Sequence, residues 1–174
     1  MNYIIRKINR DEINLLEDFL YEAIFIPSWY KGELPRDIIF TNPKLYNAIK
    51  NFGSKSDDYC LVTEVDGKIV GAVWTSIADE YGHIDDETPS LSISLYKEYR
   101  NHGIGSEMLR VILQHLKSAG YKQISLSVNK ENLHAVHVYK KIGFKIIDGG
   151  DETEFIMIYN FAKKNFEVDS LKNK

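Results

Sequence analysis

The sequence predicts a single α/β domain, a mixed central sheet of about seven strands flanked by about four helices. Three observations carry that prediction. In the second half of the chain, short apolar runs of period two alternate with segments of helical spacing, the pattern of a layered α/β structure with one parallel step. Asp66-Gly67 separates two strand-like runs and suits a two-residue primed turn, the strongest hairpin signal present. Finally, the alternating run Leu91-Ser92-Ile93-Ser94-Leu95 leads through a glycine-bearing turn, residues 100–106, into a helix.

Taken in order, Tyr3 to Ile8 reads as a first strand. Asp11 can cap a helix whose apolar face is Ile13, Leu16, Leu20 and Ile24, ending before Pro27. Residues 26–42 are irregular, with Pro27, Gly32 and Pro35 as breakers. Asn42-Pro43 opens a second helix, since proline is favoured at the first helical position, and Gly53 closes it. Tyr59–Val65 and Lys68–Ile77 form the hairpin. After an acidic loop and the fourth strand, Ser106 to Ala119 places Met108, Leu109, Ile112, Leu113 and Leu116 on one helical face, with Gly120 as its C-terminal stop. Gln123 to Val128 alternates again. Asn132 caps a last helix ending at Gly143, and Phe144–Ile147 and Thr153–Phe161 close the sheet around Gly149-Gly150. The domain is expected over 1–161, with 162–174 as a polar tail.

Composition narrows the function classes. A length of 174 residues is enough for one independent core, and 44% hydrophobic with 27% charged residues is ordinary for a globular domain. A formal charge of −3 argues against nucleic acid, which calls for a basic excess. A single cysteine, Cys60, forms no internal disulfide, and no run approaches the length of a membrane span. The expectation is a cytoplasmic protein, a monomer or homodimer, without membrane or nucleic-acid partners. His134 and His137 stand three apart without accompanying carboxylates or cysteines, so no metal site is expected.

The turn at 100–106 has a physical use. The first turn of a helix presents N–H groups without intrahelical partners and the positive end of the macrodipole. Glycine lets the backbone approach an anion closely, and Arg100 adds a charge suited to phosphate. The whole is a cradle for a diphosphate. A Walker-type loop is excluded because Ser106-Glu107 follows Gly105, and a dinucleotide fingerprint from Gly103 is excluded by Met108. The remaining pattern, Arg-x-x-Gly-x-Gly after a strand, resembles the acetyl-CoA-binding motif of the GNAT superfamily of N-acetyltransferases. A second segment supports the resemblance: Val128-x-x-x-Asn132-x-x-Ala135-x-x-Val138-Tyr139-x-Lys141-x-Gly143-Phe144 is similar to that family's later motif, with Val138 where leucine is common. The two motifs span about residues 91–144, in the family's order.

The resemblance implies the acyl-CoA N-acyltransferase fold and an enzyme that moves an acetyl group from acetyl-CoA to a primary amine by direct attack in a ternary complex. By the same resemblance the backbone of Ile93, Ser94 and Leu95 pairs with the pantetheine arm. Arg100, Asn101, His102, Gly103, Ile104, Gly105 and Ser106 hold the pyrophosphate. Asn132, Tyr139 and Lys141 complete the cofactor contacts, although Asn132 is equally well placed as a plain helix cap. Tyr139 is expected to protonate the departing thiolate as general acid, and a main-chain N–H near Leu95 to meet the oxyanion. A general base is sought among Asp79, Glu80, Asp85, Asp86 and Glu87, with Glu87 chosen as nearest the fourth strand; the same acidic loop suggests steering of a cationic acceptor. The alternatives are an acyl-CoA-binding module without turnover and, more distantly, a nucleotide-binding α/β domain.

Overall fold

The computed structural model describes residues 1–162, so of the expected tail only Ala162 falls within it. Seven strands form one sheet: β1 (Ile4–Lys7), β2 (Tyr59–Val65), β3 (Lys68–Ser76), β4 (Ser90–Leu95), β5 (Gln123–Asn129), β6 (Lys145–Ile147) and β7 (Glu154–Asn160). Their order is β1-β2-β3-β4-β5-β7-β6, and every pairing is antiparallel except β4 with β5. Among the described residues five α-helices accompany them: α1 (Leu16–Ala23), α2 (Ile38–Thr41), α3 (Pro43–Tyr46), α4 (Ile104–Ser118) and α5 (Leu133–Ile142). Asp66 and Gly67 both have positive φ, 49° and 79°, as a primed turn between β2 and β3 requires.

Two apolar layers sandwich the sheet. On one face α4 buries Ile104, Met108, Leu109, Ile112, Leu113 and Leu116 against Leu61, Val73, Leu91, Ile124, Leu126 and Met157. Each such side chain contributes about 2 kcal/mol by leaving water. On the other face α1 sets Leu16, Phe19 and Leu20 against Val62, Ala72 and Trp74. Trp74 donates its indole N–H to the Ala48 carbonyl at 3.1 Å, which fastens the segment after α3 to the sheet. Ser94 Oγ donates to the Phe19 carbonyl at 2.6 Å and ties α1 to β4. At Gly71 an added Cβ would lie 2.3 Å from Leu95 Cδ2 and 3.0 Å from the Ser94 carbonyl, so glycine lets the end of β4 lie close against β3.

Several boundaries differ from the sequence reading. The first helix opens with a 3-10 stretch, Arg10–Leu15, and its start is organised by Asn9, whose N–H donates to the Glu12 carboxylate at 2.8 Å; Asp11 falls inside the first turn. The irregular stretch 26–42 contains α2. The second helix is one turn, Pro43–Tyr46, because Asn47 and Asn51 favour turns and Asn51 turns left-handed at φ 54° before Gly53 does so at 87°. The helix opens at Asn42-Pro43 as expected, and Asn42 caps it, accepting from the amides of Lys44 and Leu45. Helix α4 begins two residues before Ser106, at Ile104, since Gly103 at φ 80° already turns the chain into it. No helix among the described residues is long and apolar enough to cross a membrane.

Candidate active site

The parallel pair β4–β5 is joined at one rung only, Ser90 opposite Ser125, where the Ser125 amide donates to the Pro89 carbonyl at 3.0 Å. Beyond that rung the strands part and leave a wedge that opens toward Leu95 and Asn129. Alternation along an antiparallel strand sends successive main-chain groups to opposite neighbours. Pro89 points its carbonyl at β5, whereas the Tyr96 amide goes to Val70 of β3. The main-chain groups of Leu91, Ile93 and Leu95 therefore face the wedge, and those of Ser94 face β3. Of the three residues expected to bind the pantetheine arm, Ile93 and Leu95 line the gap with main chain, while Ser94 turns its hydroxyl to α1.

At the open end of the wedge lies the N-terminus of α4. Asn101 and Gly103 both have positive φ, 63° and 80°, which bends successive amides toward one side. No side chain caps this helix, and Glu107 makes the first helical bond, to the Gly103 carbonyl at 3.2 Å. The amides of Ile104, Gly105 and Ser106 precede that bond. The contrast within the molecule is informative, because α3 and α5 are both capped by asparagine, Asn42 and Asn132. An added Cβ at Gly103 meets nothing within 4 Å and one at Gly105 meets only Leu95 Cδ1 at 3.7 Å, so the space in front of these amides is open. Glu107, the acid in this first turn, is held by Arg110 at 3.0 Å. Asn101 and His102 are exposed beside the mouth.

Arg100 is placed differently from the sequence reading. Its Nε donates to the Leu95 carbonyl at 2.8 Å, and its terminal nitrogen meets the Glu22 carboxylate at 3.1 Å. The guanidinium thus fixes the end of β4 and the end of α1 to the cradle. Its charge is matched by Glu22 in this state.

Tyr139 sits on α5 with its ring against Phe144 at 5.7 Å; Phe144 in turn lies 5.5 Å from Tyr159, which pairs with Ile124 in the sheet. That chain of rings places Tyr139 on the face of the sheet that α4 covers. Burial pushes its phenol up to about 12, so it remains protonated across the working pH range. Among the described residues nothing hydrogen-bonds its hydroxyl. Asn132 accepts the Ala135 amide at 3.2 Å and acts as a helix cap. Lys141 lines a groove of about 620 Å³ between α4 and α5, with Ser106, Arg110, Lys117 and His137. This basic groove starts where the cradle ends. No cluster of residues suited to a metal ion occurs among the described residues.

The acidic loop, residues 77–89, folds as something other than a uniformly charged surface. Asp79 is paired with Lys44, and its carbonyl accepts from Asn47 at 2.8 Å. Asp85 accepts the Glu87 amide at 2.9 Å, and hydrogen bonds, that from Thr88 foremost, keep its carboxyl below the usual range. Asp86 and Glu87 are exposed. Glu80 alone goes inside: it is 7% exposed, its carboxyl meets the Ser90 hydroxyl, and burial raises it to about 8. The sequence offered it only as one acid of five, because nothing in the spacing says which loop carboxyl turns inward.

A stability effect follows from that burial. The folded protein holds the Glu80 proton up to about pH 8, the unfolded chain only to about 4.5. Stability is therefore fully present below 4.5 and declines as pH rises through 8. Glu80→Gln removes that decline. Thermal melts are expected to show equal midpoints at pH 4.5 and a midpoint higher for the variant by roughly 10 °C at pH 9, corresponding to about 3 kcal/mol.

A wedge lined by main-chain groups and ended by amides that precede the first helical bond suits a long ligand with an amide-bearing arm and a diphosphate head. The comparison with known families agrees with that class: residues 22–144 match the acetyltransferase (GNAT) family, and the chain belongs to it. Among its relatives, an N-alpha-acetyltransferase of Sulfurisphaera tokodaii is 32% identical over 92 residues, 48% of this chain and 54% of that one. An uncharacterised N-acetyltransferase of Methanocaldococcus jannaschii is 27% identical over 143 residues, 82% of this chain and 78% of that one. Against the three relatives that lead the sequence comparison, the chain spans only 25%, 54% and 40% of their length. The PaiA N-acetyltransferase of Thermoplasma acidophilum, solved in complex with coenzyme A, shares the fold at a TM-score of 0.67 and 24% identity, over 92% of this chain and all of that one.

Proposed function

We propose that this protein transfers an acetyl group from acetyl-CoA to a primary amine by direct attack within a ternary complex. The observation that carries the proposal is the uncapped N-terminus of α4 at the open end of a parallel pair joined at a single rung. In this reading the amides of Gly103 to Ser106 hold the pyrophosphate, with Arg100, Asn101 and His102 shaping the approach. Main-chain groups of Ile93 and Leu95 pair with the pantetheine arm as an added strand would, in register with Ser94. Arg110 and Lys141 in the adjoining groove suit the remaining phosphate, and Asn132 keeps the start of α5 in place beside the arm.

The thioester then lies farther into the wedge, within reach of Tyr139. A main-chain N–H of β4 there, from Ile93 or Leu95, meets the developing oxyanion. Tyr139 gives its proton to the sulfur as the carbon–sulfur bond breaks, which turns a thiolate into a thiol leaving group. The exposed aromatic residues Trp29 and Tyr30 lie near the end of β5, where Trp29 donates to Glu131 at 3.0 Å. A lone, buried Cys60 suits a reducing cytoplasm.

The test is thiol release from acetyl-CoA in the presence of spermine, a short peptide with a free α-amino group, and benzylamine. Acetylated amine appearing in step with free thiol supports the proposal. Tight binding of coenzyme A with no thiol release above background for any amine favours a binding module instead.

A further inference from the structure

We propose that Glu80, working through the hydroxyl of Ser90, is the group that takes the proton from the attacking amine. The inference rests on the acetyl-transfer reading above and assigns its missing half. Strand β4 carries no acid of its own, its sequence being Ser-Leu-Ser-Ile-Ser-Leu. Within the loop before it, Asp79 is held by Lys44, Asp85 by loop amides, and Asp86 and Glu87 face solvent. Glu80 is the one acidic side chain among the described residues that is buried, and it is buried at Ser90, the rung where the wedge closes.

The two faces of the sheet make the arrangement complementary. Leu91, Leu95, Ile124 and Leu126 pack toward α4, the face that carries Tyr139. Ser94 points to α1, and Ser125 donates to the Gly82 carbonyl of the acidic loop at 2.7 Å, so the serines of β4 and β5 occupy the opposite face. Glu80 belongs to that second face. The acid that serves the sulfur and the base that serves the nitrogen thus stand on opposite faces of the sheet, with Glu80 at the closed end of the gap. Both atoms are bonded to the same carbon in the tetrahedral intermediate, so both proton partners must be close to it.

Ser90 suits a relay. Its single hydroxyl proton has two acceptors in reach, the Glu80 carboxylate and the Ser76 carbonyl at 3.4 Å. With Glu80 ionised, Ser90 donates to it; with Glu80 protonated, Glu80 donates to Ser90, which turns to Ser76. The proton balance closes: the ammonium nitrogen loses one proton to Ser90 as Ser90 passes its own to Glu80, nitrogen bonds to the acyl carbon, the carbon–sulfur bond breaks, and Tyr139 protonates the sulfur. Glu80 releases that first proton to solvent, nitrogen's second proton leaves by the same Ser90–Glu80 route as the carbon–sulfur bond breaks, and Tyr139 is reprotonated from solvent, for a net release of one proton. The charged or titratable groups around Glu80 are few. Lys44 reaches it from α3 and lowers its proton affinity, and Asp79 and His83 flank it in the loop. The dominant effect is burial, which brings the carboxyl into the range where a base both accepts and releases a proton near neutrality.

The experiment measures kcat, KM and the pH profile for wild type, Glu80→Gln, Glu80→Asp and Ser90→Ala, using acetyl-CoA with whichever of spermine, the peptide or benzylamine is turned over fastest. Coenzyme A affinity serves as the check on folding. Glu80→Gln is expected to lower kcat about 100-fold, to leave the KM for acetyl-CoA within threefold, and to abolish the acidic limb near pH 8 that wild type shows. Glu80→Asp recovers part of the rate, and Ser90→Ala, which keeps the carboxyl, loses about tenfold. Wild type without turnover on any amine overturns the acetyl-transfer reading and this inference with it. Wild-type turnover with Glu80→Gln within threefold and its acidic limb intact overturns this inference alone. If Glu80→Gln fails to bind coenzyme A, Ser90→Ala decides, and an unchanged kcat and pH profile there refute the relay.

Discussion

Replacing Tyr139 by phenylalanine is expected to lower kcat by about 100-fold or more while coenzyme A affinity changes by less than threefold. The size follows from removing a positioned general acid, a change of 10²–10⁴. The selectivity follows from the structure. The ring that packs on Phe144 is retained, and among the described residues the hydroxyl makes no hydrogen bond whose loss would unsettle the fold. The thermal midpoint should therefore stay where it is. Because burial holds the phenol near 12, wild-type kcat should show no alkaline decline from this group below about pH 11. Steady-state kinetics with calorimetric binding of coenzyme A checks both halves. Equal losses in kcat and binding would mean that Tyr139 shapes the pocket and gives no proton.

The second large effect is expected at Gly105. Its φ is not in the left-handed region, and an added Cβ has room, 3.7 Å from Leu95 Cδ1. A side chain there stands in front of the open amides of α4. Gly105→Val is expected to leave the midpoint of the free protein unchanged or slightly higher, since glycine is the poorer residue inside a helix. Coenzyme A binding should fall about 100-fold. That corresponds to about 2.7 kcal/mol, the loss of one or two hydrogen bonds to a charged group. Stability kept and affinity lost, read by melting and titration of the same sample, separates a ligand-approach glycine from a structural one. Gly103, by contrast, sits at φ 80°, where any side chain is strained whatever the space.

The contrast between these two glycines shows what the sequence can carry. Arg-x-x-Gly-x-Gly marked the turn that enters α4, and the strand before it was legible from its alternation. The Asp66-Gly67 turn, the helix start at Asn42-Pro43 and the asparagine cap at 132 were legible too, because each is a local device whose chemistry involves neighbours within four residues. What could not be read depends on contacts far apart in sequence. Arg100 turns to Glu22, 78 residues away, and Trp29 reaches Glu131, 102 residues away. Glu80 turns inward to Ser90 because Asn47 and Lys44 hold the loop from α3. Spacing alone pointed instead to Glu87, the acid nearest the strand, which the structure leaves at the surface. The end of the short helix α3, at Tyr46, was missed because Gly53 is the visible stop and the turns that begin at Asn47 carry a weaker local signal.

The most direct test is a crystal structure with coenzyme A bound to this chain. The account requires pyrophosphate oxygens about 3 Å from the amides of Gly103 to Ser106, the pantetheine arm between β4 and β5, and the sulfur within hydrogen-bonding reach of the Tyr139 hydroxyl. Phosphates lodged only in the groove between α4 and α5, with the wedge empty and the sulfur remote from Tyr139, would contradict it.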